Sequence, residues 1–321
     1  MGKIIFRYFF YSIFFFFSCN SLESFNENIF LADPTIFYDK DKYYLYGTTA
    51  GGADSTNNGF LVYLSDNLKE WNYKGYALKK GNAFGNKGFW APQIFKKDSL
   101  YYMFYTANEK ITVAFSESPL GPFINKNNIY FKAKDRQIDP FVFSDGDKYF
   151  LYYVKRFNND NEIFVAELQK DFNDINKETL TKCLSSDLLW ENDDNFDFKS
   201  VQGPSVFKID SIYYMLYSAN NFKSPNYAVG YATSLSPFGP WNKSEKNPLI
   251  SFKTINQSGS GHGDVFFDKT RNKPKYVLHT HNSSSKVRPR KTGIVDLIID
   301  KKLKTINLKD QSFRFLNLVE K

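Results

Sequence analysis

One phrase returns five times along this chain, and repetition of that kind constrains the fold more than any single residue. It reads Asp33-Pro-Thr-Ile-Phe with Tyr43-Tyr-Leu-Tyr, Ala91-Pro-Gln-Ile-Phe with Tyr101-Tyr-Met-Phe-Tyr, and Asp139-Pro-Phe-Val-Phe with Tyr149-Phe-Leu-Tyr. It continues as Gly203-Pro-Ser-Val-Phe with Tyr213-Tyr-Met-Leu-Tyr and, more loosely, Gly263-Asp-Val-Phe-Phe with Tyr276-Val-Leu-His. Each copy predicts a β-hairpin: an alternating apolar strand, a polar tip such as Asp39-Lys-Asp-Lys or Ser144-Asp-Gly-Asp, and an aromatic return strand. The copies start roughly 50 to 65 residues apart, a spacing that leaves room for two further strands per copy. The expected fold is all-β, a five-bladed β-propeller with four strands in each blade.

Composition agrees with that expectation. Aromatic residues make up 19% of the chain, among them 34 Phe and 22 Tyr, and a propeller needs broad side chains between successive sheets. No long stretch carries helical periodicity. Pro at the second position of four copies suits the start of a strand, where a missing N–H breaks no ladder bond.

The first nineteen residues have a different character. Lys3 and Arg7 precede an apolar run from Tyr8 to Phe17 that ends in Ser18-Cys19-Asn20, the pattern of a signal peptide, 1–19, too short to span a membrane. Cys19 occupies the position at which a bacterial lipoprotein is cut and acylated, although Phe stands where a lipobox usually has Leu and a small residue. The expectation is an exported protein, periplasmic or at the cell surface, lipid-anchored through Cys19. A plain signal peptide and an uncleaved anchor are the alternatives. Residues 20–321 are then the propeller. Cys183 is the one other cysteine, so no disulfide framework is expected. The net charge of +8 is spread over dispersed Lys and Arg without a basic stripe, which argues against nucleic acid as a partner. A monomer is expected.

The heads of the repeats are where chemistry is expected, because the innermost strand of every blade starts beside the central axis. Asp33 and Asp139 bring two carboxyl groups from distant sequence to one funnel. Gln202-Gly203-Pro204 and Gly261-His262-Gly263 come from the fourth and fifth copies, and Trp90 brings an aromatic ring to the rim. Paired carboxyl groups beside an aromatic platform suit glycoside cleavage, whose transition state has oxocarbenium character and whose sugar stacks its apolar face on a ring.

In order and spacing, Ala32-Asp33-Pro34, Trp90-Ala91-Pro92, Ile138-Asp139-Pro140, Gln202-Gly203-Pro204, Gly239-Pro240-Trp241 and Gly261-His262-Gly263 together resemble glycoside hydrolase family 43. Its members are inverting five-bladed enzymes acting on arabinans, arabinoxylans, xylo-oligosaccharides and galactans. The resemblance implies that Asp33 is the general base and that Asp139 orients substrate and tunes the acid. It further implies that Trp90 and Arg290 contact substrate and that His262 stands by a water-rich calcium ion; the alternatives are a surface basic cluster for Arg290 and a hydrogen-bonded plug for His262. The implied substrate is a plant-type polysaccharide or oligosaccharide, attacked at its end by an arabinofuranosidase-like or xylosidase-like activity.

One position departs from the pattern. The family's general acid is a Glu before Gly-Pro in the fourth blade, and here it is Gln202, an amide that cannot donate a proton at a useful pKa. Three explanations stand. The acid is displaced, with Glu191, Asp193, Asp194 and Asp197 as candidates that otherwise read as a solvated loop. Alternatively, the protein is a catalytically degenerate glycan-binding lipoprotein, or its reaction needs little protonation of the leaving group. Whether the funnel is a pocket or a cleft depends on loops such as Gly51–Asn58 and Asn220–Asn226.

Overall fold

The structure is a computed structural model and describes Gly2 and residues 27–49, 58–125, 127, 130–268 and 273–319. The expected signal peptide and Cys19 lie outside the described residues, as does most of the Gly51–Asn58 loop.

Each repeat folds as the sequence predicts and starts a small antiparallel sheet. The first blade holds β1 (Ala32–Asp39), β2 (Lys42–Thr48), β3 (Gly59–Ser65) and β4 (Glu70–Lys79). The second holds β5 (Trp90–Lys97), β6 (Leu100–Ala107) and β7 (Lys110–Ser116). The third comprises β8 (Gln137–Asp145), β9 (Lys148–Phe157), β10 (Asp160–Glu167) and β11 (Thr181–Leu184). The fourth comprises β12 (Val201–Ile209), β13 (Ile212–Ala219), β14 (Ala228–Ser234) and β15 (Asn242–Lys243). The fifth contains β16 (Gly261–Phe267), β17 (Pro274–Thr280), β18 (Lys291–Asp300) and β19 (Thr305–Leu308), with β20 (Arg314–Phe315) pairing on β18.

The first strands close a ring: β1 packs on β5, β5 on β8, β8 on β12, β12 on β16 and β16 on β1. These five blades form a β-propeller. The second blade corrects the expectation of four strands throughout. Among the described residues its outer edge is made only of single bridges, Phe115 to Ile124 and Thr112 to Tyr130, because the chain there runs through Gly121-Pro122 and a polar Asn-rich stretch that sustains no ladder.

The aromatic content is used between blades. Each junction has its own buried cluster, from Tyr44, Phe60, Phe89 and Tyr105 between the first and second blades to Leu45, Trp71, Phe266 and Val277 between the fifth and first. The last junction is also tied by backbone. A final strand, β21 (Asn317–Leu318), pairs in parallel with β4, and the Ile29 amide donates to the Leu316 carbonyl at 2.9 Å. Each end of the ring-forming chain is thereby stitched to the other, leaving few unpaired strand edges.

Among the described residues no helix is long and apolar enough to cross a membrane.

Candidate functional site

Every inner strand carries the same irregularity at its head. The register slips between Ala32 and Thr35, Trp90 and Gln93, Ile138 and Phe141, Gln202 and Ser205, and Gly261 and Gly263. The residue inside each slip adopts positive φ: Asp33 at 46°, Ala91 at 45°, Asp139 at 57°, Gly203 at 59° and His262 at 35°. A bulge of this kind re-aims a side chain and stops pairing. Repeated around a ring, it turns the same position of all five blades to the axis. Four of the five members are not glycine, and three of those four are the two carboxylates and the histidine, as expected where function holds an unfavourable backbone in place.

The neighbouring blade secures these bulges. Thr48 Oγ1 accepts from the Ala91 amide at 2.9 Å, Thr106 Oγ1 from Asp139 at 3.0 Å, and Ser218 Oγ from His262 at 2.8 Å. The matching residue in the fifth blade is His279, whose Nδ1 lies 3.1 Å from the Asp33 amide. In the third blade it is Val154, which has no polar atom to offer. Gly203, the residue facing Val154's blade, is glycine for another reason: a Cβ there would come within 2.6 Å of the His262 ring.

Asp33 is the most strongly held group. Its Oδ2 accepts from Thr48 Oγ1 at 2.6 Å, and its Oδ1 lies 3.3 Å from Arg290 Nη1 and 3.3 Å from His262 Nδ1. Burial alone would raise its pKa, but the Arg290 charge, then His262 and the Thr48 hydrogen bond, outweigh that penalty and hold the carboxyl well below the usual range. Arg290 Nη1 also reaches His279 Nε2 at 3.1 Å. A neutral imidazole carries one proton, so His279 accepts either from the Asp33 amide or from Arg290, and its tautomer is tied to the Arg290–Asp33 pair. Burial and the Arg290 charge keep the His279 pKa well below its ordinary value, so the ring is neutral.

Asp139 is tuned the opposite way. Burial, with the Asp33 charge adding to it, raises its pKa despite His262, Arg136 and the Gly203 amide. Its Oδ2 is buried without a hydrogen-bond partner, 3.8 Å from His262 Nδ1. Since His262 Nδ1 stands near both carboxyl groups, their oxygens are within about 7 Å of each other, the scale on which paired carboxyls act on one sugar. Two neighbouring carboxyls with pKa values pushed apart are a usual arrangement for acid and base chemistry.

These residues line a cavity of about 250 Å³ that contains every expected site residue: Asp33, Trp90, Asp139, Gln202, His262 and Arg290. Gln202 Nε2 donates to the Tyr227 hydroxyl at 2.9 Å, and burial followed by the nearby carboxylates keeps that phenol fully protonated. Sequence reasoning missed Tyr227, His279, Thr48 and Phe222. Thr48, Thr106, Ser218 and His279 did leave a signal, as the polar residue that follows the aromatic run in four of the five copies. Tyr227 and Phe222 left none, because they lie on a loop outside the repeat.

The acidic stretch stands elsewhere. Glu191 is fully buried, with Oε2 accepting from the Asp187 and Leu188 amides at 2.8 and 3.0 Å and from Lys243 at 2.8 Å, and Oε1 from Tyr217 at 2.6 Å. It is a structural ion pair and neither a displaced acid nor part of a solvated loop, because the backbone of its own turn folds over the carboxylate. Asp193, Asp194 and Asp197 are exposed and line no part of the cavity.

Beneath the floor, a second cavity of about 20 Å³, room for one water, is bordered by Asp33, Asp139, His262 and Asp264. Asp264 accepts from Thr35 and Ser205, and burial pushes its carboxyl up to about 6. Among the described residues no group of three His, Cys, Asp or Glu side chains has the geometry to hold a metal ion. A hard cation beside His262 would therefore take most of its six to eight oxygens from water, a shell that needs the larger cavity rather than this one.

Three comparisons place this geometry among known proteins. The family model for glycosyl hydrolases family 43 matches residues 27–300. A crystal structure of an endo-1,4-β-xylanase from Bacteroides thetaiotaomicron superimposes with a TM-score of 0.83 and 36% identity, covering 92% of this chain and 99% of that one. The β-D-galactofuranosidase xynD of Aspergillus niger is 24% identical over 73% of this chain and 69% of its own length. A xylosidase/arabinosidase of Bacteroides ovatus is 23% identical over 66% and 76%.

Proposed function

Because this chain belongs to glycosyl hydrolase family 43, we propose that it hydrolyses the terminal O-glycosidic bond of a plant-type oligosaccharide or polysaccharide side chain, releasing a pentose or related unit with inversion. The observation that carries this reading is the carboxylate of Asp33, held ionised by Arg290 in a cavity that also contains Gln202. A volume near 250 Å³ is below the roughly 300–1,000 Å³ of ordinary ligand pockets and suits about one sugar unit, which favours attack at a chain end. The names of the relatives, a xylosidase/arabinosidase, a galactofuranosidase and a xylanase, support the substrate class and leave the sugar open.

In this reading Asp33 removes a proton from a water as its oxygen bonds to the anomeric carbon, and the C–O bond to the leaving group breaks with its electron pair staying on oxygen. Asp139 orients the sugar, and Trp90 supplies a stacking face. The Gln202 amide hydrogen-bonds the departing oxygen but supplies no proton, which must come from solvent. Departure then limits the rate for poor leaving groups. A general acid contributes typically 10²–10⁴ in rate, so natural linkages should be cleaved slowly and aryl glycosides much better.

Gln202→Glu tests this, with turnover on arabino- and xylo-oligosaccharides expected to rise about 10²-fold. The anomer released, followed by proton NMR, checks inversion. Brisk wild-type turnover with no gain in Gln202→Glu would mean that another group supplies the proton. Retained ligand binding with no hydrolysis by either form would favour the glycan-binding reading, which the Gln202 amide itself supports.

The reading includes a hydrated calcium ion on the axis beside His262, supported by the Asp33 and Asp139 carboxyls that stand 3.3 and 3.8 Å from His262 Nδ1, and checked by thermal shift with calcium and chelator. It also includes export and tethering through Cys19, checked by palmitate labelling of wild type and Cys19→Ala.

A further inference from the structure

Gln202 does not stand alone on the leaving-group side of the cavity. Its Nε2 donates to the Tyr227 hydroxyl at 2.9 Å, and both residues line the same space as Asp33 and Asp139. Tyr227 is only 1% exposed, so its hydroxyl needs a partner within the fold. An amide nitrogen carries two protons, and a phenol oxygen that accepts one of them leaves the other for a ligand in the cavity. The same bond decides how the amide is turned: with Nε2 toward Tyr227, Oε1 points away from it.

The Tyr227 ring is itself clamped. It stacks on the neutral His279 imidazole, with centroids 5.7 Å apart and planes 17° from parallel. It also fills the space over Gly261, where a Cβ would come within 2.2 Å of the ring, and glycine in a strand often marks such a close approach. His279 in turn touches the Asp33 amide and Arg290, so one stack of rings joins the base to the amide. The loop that carries Tyr227 is fixed at its other end by Asn220, a buried residue with φ of 74°. Asn220 Nδ2 donates to the Trp190 and Asn226 carbonyls at 2.7 and 3.0 Å, and its Oδ1 accepts from the Asp193 amide at 2.9 Å. The acidic stretch thereby supports this loop through its backbone and not as an acid.

We infer that Tyr227 is a positioning residue of the reaction: by accepting from Nε2 it holds the Gln202 amide in one orientation, with the remaining N–H directed at the oxygen of the departing group. This rests on the glycosidase reading of the cavity and accounts for how the amide is aimed. The terminal torsion of a Gln side chain is broad and roughly two-fold, so without the phenol either end of the amide would meet the leaving group. A carbonyl oxygen there would repel the departing oxygen as charge develops on it, whereas a donor aimed in advance costs no reorganisation during the reaction.

The test begins without turnover. In the full chain labelled with nitrogen-15, the Gln202 side-chain amide, assigned by its loss in Gln202→Ala, should show one proton shifted downfield and slowed in exchange with solvent. Tyr227→Phe keeps the ring on His279 and removes only the hydroxyl; there that proton should take the shift of an unbonded amide and exchange about tenfold faster. Kinetics then separate positioning from mere support. Tyr227→Phe should lower the ratio of turnover on xylo- or arabino-oligosaccharides to turnover on aryl glycosides by about tenfold, because only the former need a donor at the departing oxygen. In the Gln202→Ala background the same substitution should change that ratio by no more than about twofold, since the two residues act as one unit. An amide signal identical in wild type and Tyr227→Phe, or an equal fall of the ratio in both backgrounds, overturns the inference while the glycosidase reading stands. If Tyr227→Phe misfolds, an unshifted and fast-exchanging Gln202 amide in the wild type overturns it alone. Absence of hydrolysis by both wild type and Gln202→Glu overturns the glycosidase reading, and the amide signal then still decides whether Tyr227 orients Gln202.

Discussion

Replacing Arg290 by Met should raise the pKa of Asp33 toward the ordinary carboxyl value. At 3.3 Å, a full charge in an effective dielectric of about 20 gives an attraction of about 5 kcal/mol, an upper bound because the guanidinium charge is spread over three nitrogens. Opposite charges at such range lower a carboxyl pKa by about one to three units, and the Asp33 side chain is only 10% exposed, so solvent screens little. In Arg290→Met the burial penalty on Asp33 is opposed chiefly by His262 and Thr48, and its pKa should rise by about two units. The assay is kcat/KM for an aryl glycoside from pH 8 down to about pH 2, since such a leaving group does not depend on the missing acid. The wild type should show no loss on the acid side within that range, and the variant should develop an acid limb whose midpoint reports Asp33. A carbon-13 NMR titration of Asp33 gives the same quantity without turnover. If Asp33 titrates at the same pH in both proteins, Arg290 is not what keeps the base ionised.

Three further outcomes follow from the same structure. Thr48→Val removes the donor to Asp33 and the acceptor of the Ala91 amide, and should cost about 2–4 kcal/mol by urea denaturation; a change under 0.5 kcal/mol would mean that water replaces both bonds. Glu191→Gln leaves Lys243 with the exposed Asp187 as its acidic partner and should destabilise by about 1–3 kcal/mol while KM and turnover of natural oligosaccharides by the folded fraction stay within twofold; loss of that turnover instead would revive the displaced acid. Asp264, raised to about 6 from an ordinary 3.8, binds more protons folded than unfolded, so its contribution to stability is full below pH 3.8 and is lost as pH rises to about 6. Asp33, with its lowered pKa, acts the other way, stabilising above pH 3.8 and losing that contribution as pH falls. An Asp264 carboxyl that titrates near 4 by NMR would contradict the burial argument.

Much of this protein was legible in its sequence because its fold is built by repetition. An alternating strand, a polar tip and an aromatic return recur five times, and a hairpin is a local structure whose signals lie within fifteen residues. Closure of five such units also follows, since each needs a neighbour on both sides to bury its aromatic faces. Asp33, Asp139, Gln202 and His262 were visible as candidates because the head of each repeat falls at the axis whatever the outer strands do. The second blade was misjudged for the complementary reason: outer strands are set by loops and edges, and nothing in the repeat encodes them.

The tertiary structure decided what those candidates can do. Ionisation depends on charges and burial brought from other blades, so Asp33 and Asp139 look alike in sequence, each in an Asp-Pro head, and diverge chiefly because Arg290 arrives beside one of them. Glu191 was an acidic residue among acidic residues until the fold enclosed it with Lys243 and Tyr217. Phe222, Tyr227 and Lys223 reach the cavity from a loop more than 80 residues from Arg136. The strands are written in local periodicity, which one stretch of chain can carry; the charge of the cavity is a sum over side chains distant in sequence, which only folding brings within a few ångströms of one another.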